Sequence, residues 1–99
     1  MKEIIDKLNK AFDHRVRLGI MSLLMVNDQV EFNSMKELLD ITDGNLASHI
    51  TALEKAGYIS VLKEFIGKKP KTSYAATTAG TKAFQQHLNA LEQLIRNSG

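Results

Sequence analysis

The sequence predicts a mainly helical α+β domain with one small β-hairpin, and three observations lead to this fold class. Apolar residues recur at the spacing of an α-helix in five segments of the chain. A β-favouring stretch, residues 59–76, is interrupted by a turn that contains Gly67 and Pro70, the single proline. The 99 residues are 43% hydrophobic and 24% charged, which fits one globular domain over residues 1–99.

Two helices are predicted in the N-terminal part. The first, over residues 2–12, has lysines between apolar residues at helical spacing, which are Ile4, Ile5, Leu8 and Phe12. Asp13 is expected to cap a second helix over about residues 14–26, which is apolar on almost every face and is therefore the candidate core helix. After a break at residues 27–29, residues 30–32 are expected to form a very short strand.

A pair of short helices is predicted in the middle of the chain. Ser34 and Glu37 have the spacing of a capping box and mark the start of the first. Residues 41–44 supply a turn, in which Thr42 can cap the second helix, residues 43–55. This second helix has a single apolar stripe, formed by Leu46, Ile50 and Leu53.

A lysine-rich hairpin is predicted after this helix pair. Gly57 is suited to the left-handed residue that ends the helix before it. Residues 59–65 favour a strand and residues 72–76 form a weaker second strand, with residues 66–71 as the turn. The net charge of the chain is only +2, so it is the local concentration of lysines in this hairpin that suggests an anionic partner.

The last helix is expected to begin at Thr77 or Thr78 and to run to about residue 97. A helix of this length is about 28 Å long, more than a small domain easily covers with one neighbour. We therefore expect homodimerisation through the two terminal helices, by way of Ile4, Ile5, Leu8, Phe12, Phe84, Leu88, Leu91 and Ile95. The alternative is that the apolar residues of the last helix only cover the domain's own core.

A helix pair followed by a hairpin is an arrangement that can recognise double-stranded DNA, with the second helix in the major groove. The outward positions of this recognition helix, residues 43–55, are predicted to be Asp43, Asn45, Ser48, His49, Thr51, Ala52 and Lys55. Of these, Asn45, Ser48, His49, Thr51 and Lys55 are candidate DNA contacts. Three lysines at the hairpin turn, Lys68, Lys69 and Lys71, are candidate phosphate contacts, and Arg15 and Arg17 add positive charge. A solvated helix face and a solubilising hairpin tip are the alternatives.

The stretch from Met35 to Ile59, MKELLDITDGNLASHITALEKAGYI, resembles the helix-turn-helix of MarR- and ArsR-type winged-helix regulators. It is most similar to the small stand-alone winged helix DNA-binding domain regulators. The similarity covers roughly residues 14–95 and includes the wing (residues 65–74) and the opening of the last helix (residues 77–80). The resemblance implies a winged helix-turn-helix that dimerises through its terminal helices, with major-groove recognition by residues 43–55 and wing contacts by residues 68–71.

Two departures from this family pattern bear on function. Nothing between Thr42 and Glu54 is basic, so the bidentate contact of arginine with guanine is missing from that stretch. The wing has lysines but no arginine, which favours phosphate contact. The non-basic helix and Asp43 favour an alternative function, a winged helix that binds another protein and has no DNA target of its own.

Other functions find little support in the sequence. There is no cysteine, and His14, His49 and His87 are scattered, so we expect no metal site and no cofactor. No motif of an enzyme is present. The longest apolar run, residues 23–26, is too short to span a bilayer, and a cytoplasmic location is expected. No residue pattern indicates a small-molecule effector.

Overall fold

A computed structural model describes residues 1–97 of the chain. Its order of elements is α1 (Lys2–Ile5), a 3₁₀ turn (Lys10–Phe12), α2 (Arg15–Val26), β1 (Val30–Glu31), α3 (Phe32–Leu39), α4 (Asp43–Lys55), β2 (Ile59–Ile66), β3 (Lys69–Ala76) and α5 (Thr78–Asn97). The predicted fold class, mainly helical with a small hairpin, is confirmed. None of the described helices is long and apolar enough to cross a membrane.

Asn9 interrupts the N-terminal helix, and the prediction of one helix over residues 2–12 is wrong. Its side-chain oxygen accepts the N–H of Ala11 at 2.9 Å and caps the 3₁₀ turn. Its side-chain amide donates to the Tyr58 hydroxyl at 2.9 Å, and its backbone N–H donates to Nδ1 of His87 at 3.0 Å. These bonds fix the segment against α5 and stop the helix, because asparagine offers the backbone an alternative partner.

The starts of α2 and α3 also differ from the prediction. His14, and not Asp13, caps α2, since its Nδ1 accepts the N–H of Val16 at 3.1 Å. The predicted capping box at Ser34 is wrong, because α3 already begins at Phe32, directly after β1, without a side-chain cap. Pairing of β1 with β3 fixes the chain just before this point, so the helix starts earlier than its polar residues indicate.

The hydrophobic core is built around α2, as the sequence predicts. Ile20 and Met21 of α2 are fully buried, and Met35 of α3 and Leu46 and Leu53 of α4 pack against them. Burying each such side chain contributes about 1.5–3 kcal/mol. The helix pair α3–α4 is therefore attached to the rest of the domain by its apolar side, and the outer side of α4 is left exposed.

The sheet is antiparallel with the strand order β1-β3-β2. Strands β2 and β3 pair from Ile59 with Ala76 to Ile66 with Lys69, so Gly67 and Lys68 alone form the turn. Gly67 has a φ of 66°, which glycine adopts without strain. The turn is shorter than the predicted one over residues 66–71, and its later lysines and proline lie in β3.

Helix α5 packs closely on the end of the helix pair. Gly57 has a φ of 80°, and the N–H of Tyr58 donates to the carbonyl of Leu53 at 3.0 Å, which confirms the predicted end of α4. Thr77 accepts the N–H of Gly80 at 2.9 Å and donates to the carbonyl of Gly57 at 2.7 Å. A side chain at Gly80 would overlap the Tyr58 carbonyl, so α5 can approach this closely only with glycine there.

Candidate nucleic-acid interface

The outward face of α4 is polar and exposed over most of its length. With about 100° of rotation per residue, Ser48 lies almost opposite the stripe formed by Leu46, Ile50 and Leu53. Four of the predicted contact residues lie on this exposed side, namely Asn45, Ser48, Thr51 and Lys55. Thr42 caps the helix as predicted, because its hydroxyl oxygen accepts the N–H of Asn45 at 3.2 Å.

The turn between α3 and α4 is held by local contacts. Asp40 ends α3 in a left-handed conformation with a φ of 52°. Lys36 of α3 forms an ion pair with Asp43, the first residue of α4, with 2.9 Å between Nζ and Oδ1. The sequence alone did not indicate this pair. The ion pair partly neutralises the acidic residue at the start of α4 and joins α3 to α4 on their outer side.

His49 does not face outward, and that prediction is wrong. Its side chain is only 8% exposed, and its Nδ1 accepts a hydrogen bond from Nε of Arg17 at 3.0 Å. Its ring also lies against that of His14, with 4.2 Å between the centroids. Arg17 also donates a second, longer hydrogen bond of 3.4 Å to the Ala11 carbonyl. His49 and Arg17, which were both predicted to contact DNA, therefore have hydrogen-bond partners inside the domain.

A helical wheel of α4 contains a signal for this burial. Leu46, Ile50 and Leu53 centre the buried stripe, and His49 lies about 70° from that centre, at its border, when each residue adds about 100°. Burial lowers the pKa of His49 below its ordinary value of 6.5, and the nearby His14 and Arg17 lower it further. The ring is therefore held neutral, as its accepting Nδ1 requires.

The lysines of the hairpin divide into two groups. Lys71 forms an ion pair with Glu31 of β1 at 3.3 Å and stands opposite Glu64 in the register of β2 and β3. Lys68 in the turn and Lys69 at the start of β3 are exposed, and within residues 1–97 neither takes part in a salt bridge. The positive charge available to a partner is therefore concentrated at the tip of the hairpin.

Arg15 is exposed at the start of α2 and shares a surface cleft with Asn45 of α4 and the turn residues Asp40 and Ile41. One predicted cation is thus placed beside the start of the recognition helix. The hairpin lysines Lys69 and Lys71 instead line a separate cleft with the start of α3.

The predicted dimer residues separate into core and surface. Phe12 and Phe84 are buried in the domain core, packed edge to face with 5.2 Å between ring centroids, so their predicted place on a surface is wrong. Ile4 and Leu8 are half-buried. The remaining apolar side chains are exposed, and they are Ile5, Leu88, Leu91 and Ile95.

His87 is a buried structural residue. Its Nδ1 accepts the backbone N–H of Asn9, and its ring stands edge-on to Phe12 with 5.4 Å between the centroids. Burial lowers the pKa of His87, and the nearby Asp13 acts in the opposite direction. No three histidine, aspartate or glutamate side chains of residues 1–97 come together as a metal site.

Two short helices joined by a tight turn, packed on a core helix and followed by a three-stranded sheet with a projecting hairpin, define a winged helix-turn-helix protein. The chain belongs to the winged helix DNA-binding domain family, whose sequence model matches residues 16–95. The resemblance noted in the sequence is thereby confirmed.

Two relatives are similar over almost their entire length. The uncharacterized protein MJ0432 of Methanocaldococcus jannaschii is 38% identical over 88 residues, which are 89% of this chain and 96% of that protein. The structure of a transcriptional regulator homologue from Pyrococcus horikoshii OT3 is 33% identical, with a TM-score of 0.85 over 97% of this chain and 93% of that one.

A more distant structure shares the fold. Bacillus subtilis PadR, solved in complex with operator DNA, is 15% identical with a TM-score of 0.66, over 76% of this chain and 48% of that one.

Proposed function

We propose that this chain binds double-stranded DNA sequence-specifically as a homodimer and represses transcription. The observation that carries the proposal is the exposed polar side of α4, on which Asn45, Ser48, Thr51 and Lys55 are all accessible. The family to which the chain belongs and the operator complex of PadR support the same function. A dimer bound across a promoter would exclude other proteins from that DNA, which is the reason for proposing repression.

The recognition helix α4 is proposed to lie in the major groove. Asn45 can form paired hydrogen bonds with adenine, and Ser48 can bond to several base edges. The Thr51 hydroxyl already donates to the Ala47 carbonyl at 2.9 Å, so its methyl group and oxygen lone pairs remain for the DNA. Since no residue of α4 before Lys55 is basic, phosphate contacts must come largely from other elements.

The wing is proposed to supply those phosphate contacts. Lys68 and Lys69 carry charge that no acidic side chain of residues 1–97 pairs. Arg15 adds a cation beside the start of α4. Each phosphate that is neutralised releases counterions, which gives affinity that does not depend on sequence but falls steeply with salt.

Dimerisation is proposed through the outer half of α5 and the N-terminal segment. The buried residues of α5 within the described chain are Gly80, Phe84, His87 and Ala90, all in its first thirteen residues. Beyond them, Leu91 and Ile95 are exposed, and Ile5 and Leu88 extend the apolar surface. A twofold dimer would place two α4 helices about one DNA turn, roughly 34–36 Å, apart, which calls for a near-palindromic site.

The test is selection of bound fragments from sheared genomic DNA, followed by affinity measurements at two salt concentrations. A near-palindromic site should be enriched. Ser48→Ala should relax base preference at one position, and Lys69→Ala should lower the salt slope by about one phosphate contact. Lys82→Ala, which removes an exposed lysine of α5 outside the wing, is the matched control.

Absence of enrichment and of binding even at low salt would contradict the proposal. The chain would then fit the alternative of a winged helix that binds another protein.

A further inference from the structure

The tip of the wing combines positive charge with large exposed apolar side chains. Phe65 is 76% exposed and Ile66 is 62% exposed, and both directly precede the turn with Lys68. A solvating hairpin tip would carry polar residues here. The described aromatic contacts of residues 1–97 do not include Phe65, so its ring is not packed on another ring of the domain.

The wing also projects well beyond the core. In β2, Ile59 at the base is buried, whereas every residue from Ser60 to Ile66 is exposed. Six and seven steps of about 3.4 Å carry Phe65 and Ile66 about 20 and 24 Å, respectively, from that base. A side chain at this distance contributes nothing to the core, and its exposure costs hydrophobic free energy until a partner covers it.

The charge around Phe65 indicates the chemistry of that partner. Lys68 lies in the turn, Lys69 follows it on the face of the hairpin opposite to Phe65, and Glu64 faces Lys71 across the strand pair. A hairpin tip with an apolar side chain on one face and lysines in the turn and on the other face is complementary to a surface with anions outside and flat apolar groups behind them. Duplex DNA has this arrangement, with phosphates along the groove edges and stacked bases between them.

We propose that Phe65 is a wedge that enters the minor groove at a flexible base step and bends the bound DNA, an inference that rests on the proposed DNA-binding function. Phenylalanine and proline are among the side chains that proteins insert between base pairs from the minor groove. Lys68 in the turn and Lys69 on the opposite face of the hairpin contact phosphates at the edges of the same groove. Pyrimidine–purine steps unstack most easily, so the wedge favours a TA or CA step at a fixed distance from the base contacts of α4.

The register of the hairpin separates Phe65 from its neighbour. Phe65 pairs with Pro70 and Ile66 pairs with Lys69, and paired residues of an antiparallel ladder point to the same face. Phe65 and Pro70 therefore lie on one face, and Ile66 and Lys69 lie on the other. Ile66 is thus a matched control, since it is equally apolar and close to the tip but directed away from the wedge.

The experiment uses the full chain and two duplexes of equal length and A·T content, one built of alternating TA steps and one of stiff A-tracts. Affinity is measured for the wild type, Phe65→Ala, Ile66→Ala and Lys69→Ala. The bend is followed by energy transfer between dyes on the duplex ends, and base unstacking by 2-aminopurine fluorescence at a TA step. Thermal unfolding of each variant verifies the fold, and sedimentation verifies the oligomeric state.

The wild type should prefer the TA duplex, bend it and increase the 2-aminopurine signal. Phe65→Ala should lose about tenfold in affinity for the TA duplex, together with the bend and the fluorescence change, while its salt slope stays the same. Ile66→Ala should retain affinity within about twofold. Lys69→Ala should weaken binding to both duplexes equally and lower the salt slope.

Three results would contradict the wedge while leaving DNA binding intact. The first is a Phe65→Ala variant that binds and bends the TA duplex like the wild type. The second is an equal loss of affinity in Ile66→Ala, since the tip would then act as a general apolar contact. The third is a loss in Phe65→Ala that follows a change of oligomeric state. If the wild type binds neither these duplexes nor any genomic fragment, the proposed function itself fails and the wedge fails with it.

Discussion

Nε of Arg17 donates to Nδ1 of His49 at 3.0 Å, and this bond joins the core helix α2 to the middle of the recognition helix α4. His49 must be neutral to accept it, because a protonated ring has no free nitrogen. His14 lies against the same ring and itself uses Nδ1 as an acceptor, for the N–H of Val16. The bond between Arg17 and His49 therefore depends on the uncharged form of His49.

Acidification should destabilise the domain through His49. Its pKa is lowered in the folded chain by burial, then by His14 and Arg17, from an ordinary value of 6.5. Above about pH 6.5 both folded and unfolded chains hold this ring neutral, so it has no effect there. As the pH falls below that value, the unfolded chain binds a proton first, and the free energy of unfolding decreases by at most about 1.4 kcal/mol per pH unit for this group.

Urea unfolding between pH 7.5 and pH 5 measures this dependence. His49→Asn keeps an acceptor near Nδ1 without a titrating ring, so its free energy of unfolding should vary less steeply with pH than that of the wild type. Part of the slope should remain, because burial also lowers the pKa of His87. An unchanged slope in His49→Asn would show that the Arg17–His49 bond does not couple to protonation.

Gly80→Ala should destabilise the domain by about 1–3 kcal/mol, or more if α5 cannot move. The new methyl group would overlap the carbonyl of Tyr58, which already accepts the N–H of Thr77 at 3.0 Å. Gly44→Ala is the control, since it adds the same group to a helix at a place with no atom within 4 Å. It should raise the stability by up to about 1 kcal/mol.

Chemical denaturation of the two variants checks this prediction. Equal stability of Gly80→Ala and the wild type would contradict the close packing of α5 on the end of α4.

Local sequence signals predicted both ends of α4. Thr42 caps α4 and Gly57 ends it, and each does so through bonds to residues at most five positions away. The N-terminal segment was mispredicted because Asn9 bonds to Tyr58 and His87, which are 49 and 78 residues away. Periodicity over residues 2–12 holds no information on such partners.

In the candidate site, too, features set by local residues were predictable and features set by residues distant in the sequence were not. The exposure of Asn45, Ser48 and Thr51 follows from the apolar stripe of α4 alone. The position of His49 at the border of that stripe can also be read from spacing, but its hydrogen bond with Arg17, 32 residues earlier, could not be inferred from it. The apolar tip of the wing was visible in the sequence, but its exposure was not, because residues 59–65 equally fit a buried strand.

Ser73→Ala should raise the stability of the domain by about 1 kcal/mol. Ser73 is buried in β3, and its hydroxyl has no hydrogen-bond partner within residues 1–97, so folding removes it from water without compensation. Ser60→Ala, at an exposed position of the neighbouring strand, is the control and should change the stability by less than about 0.5 kcal/mol. A loss of stability in Ser73→Ala alone would show that the hydroxyl has a partner after all.

Leu91→Glu should convert the proposed dimer to a monomer without unfolding the chain. Leu91 follows Ala90, the last residue of α5 that is buried in the described chain, and it lines an apolar cleft with Ile5 and Leu8. A carboxylate at this position would have to lose its hydration in a twofold interface, which is unfavourable. The residue is exposed in the single chain, so its own fold should be kept. Sedimentation gives the oligomeric state, and affinity for the selected site should fall by at least about tenfold because only one half-site can be held.

Val26→Glu introduces the same charge at an exposed apolar residue at the end of α2, away from that cleft, and should leave a dimer. If Leu91→Glu remains a dimer as well, the subunits associate through another surface. If the wild type is itself a monomer and still binds a palindromic site tightly, then dimerisation through α5 is not what pairs the recognition helices.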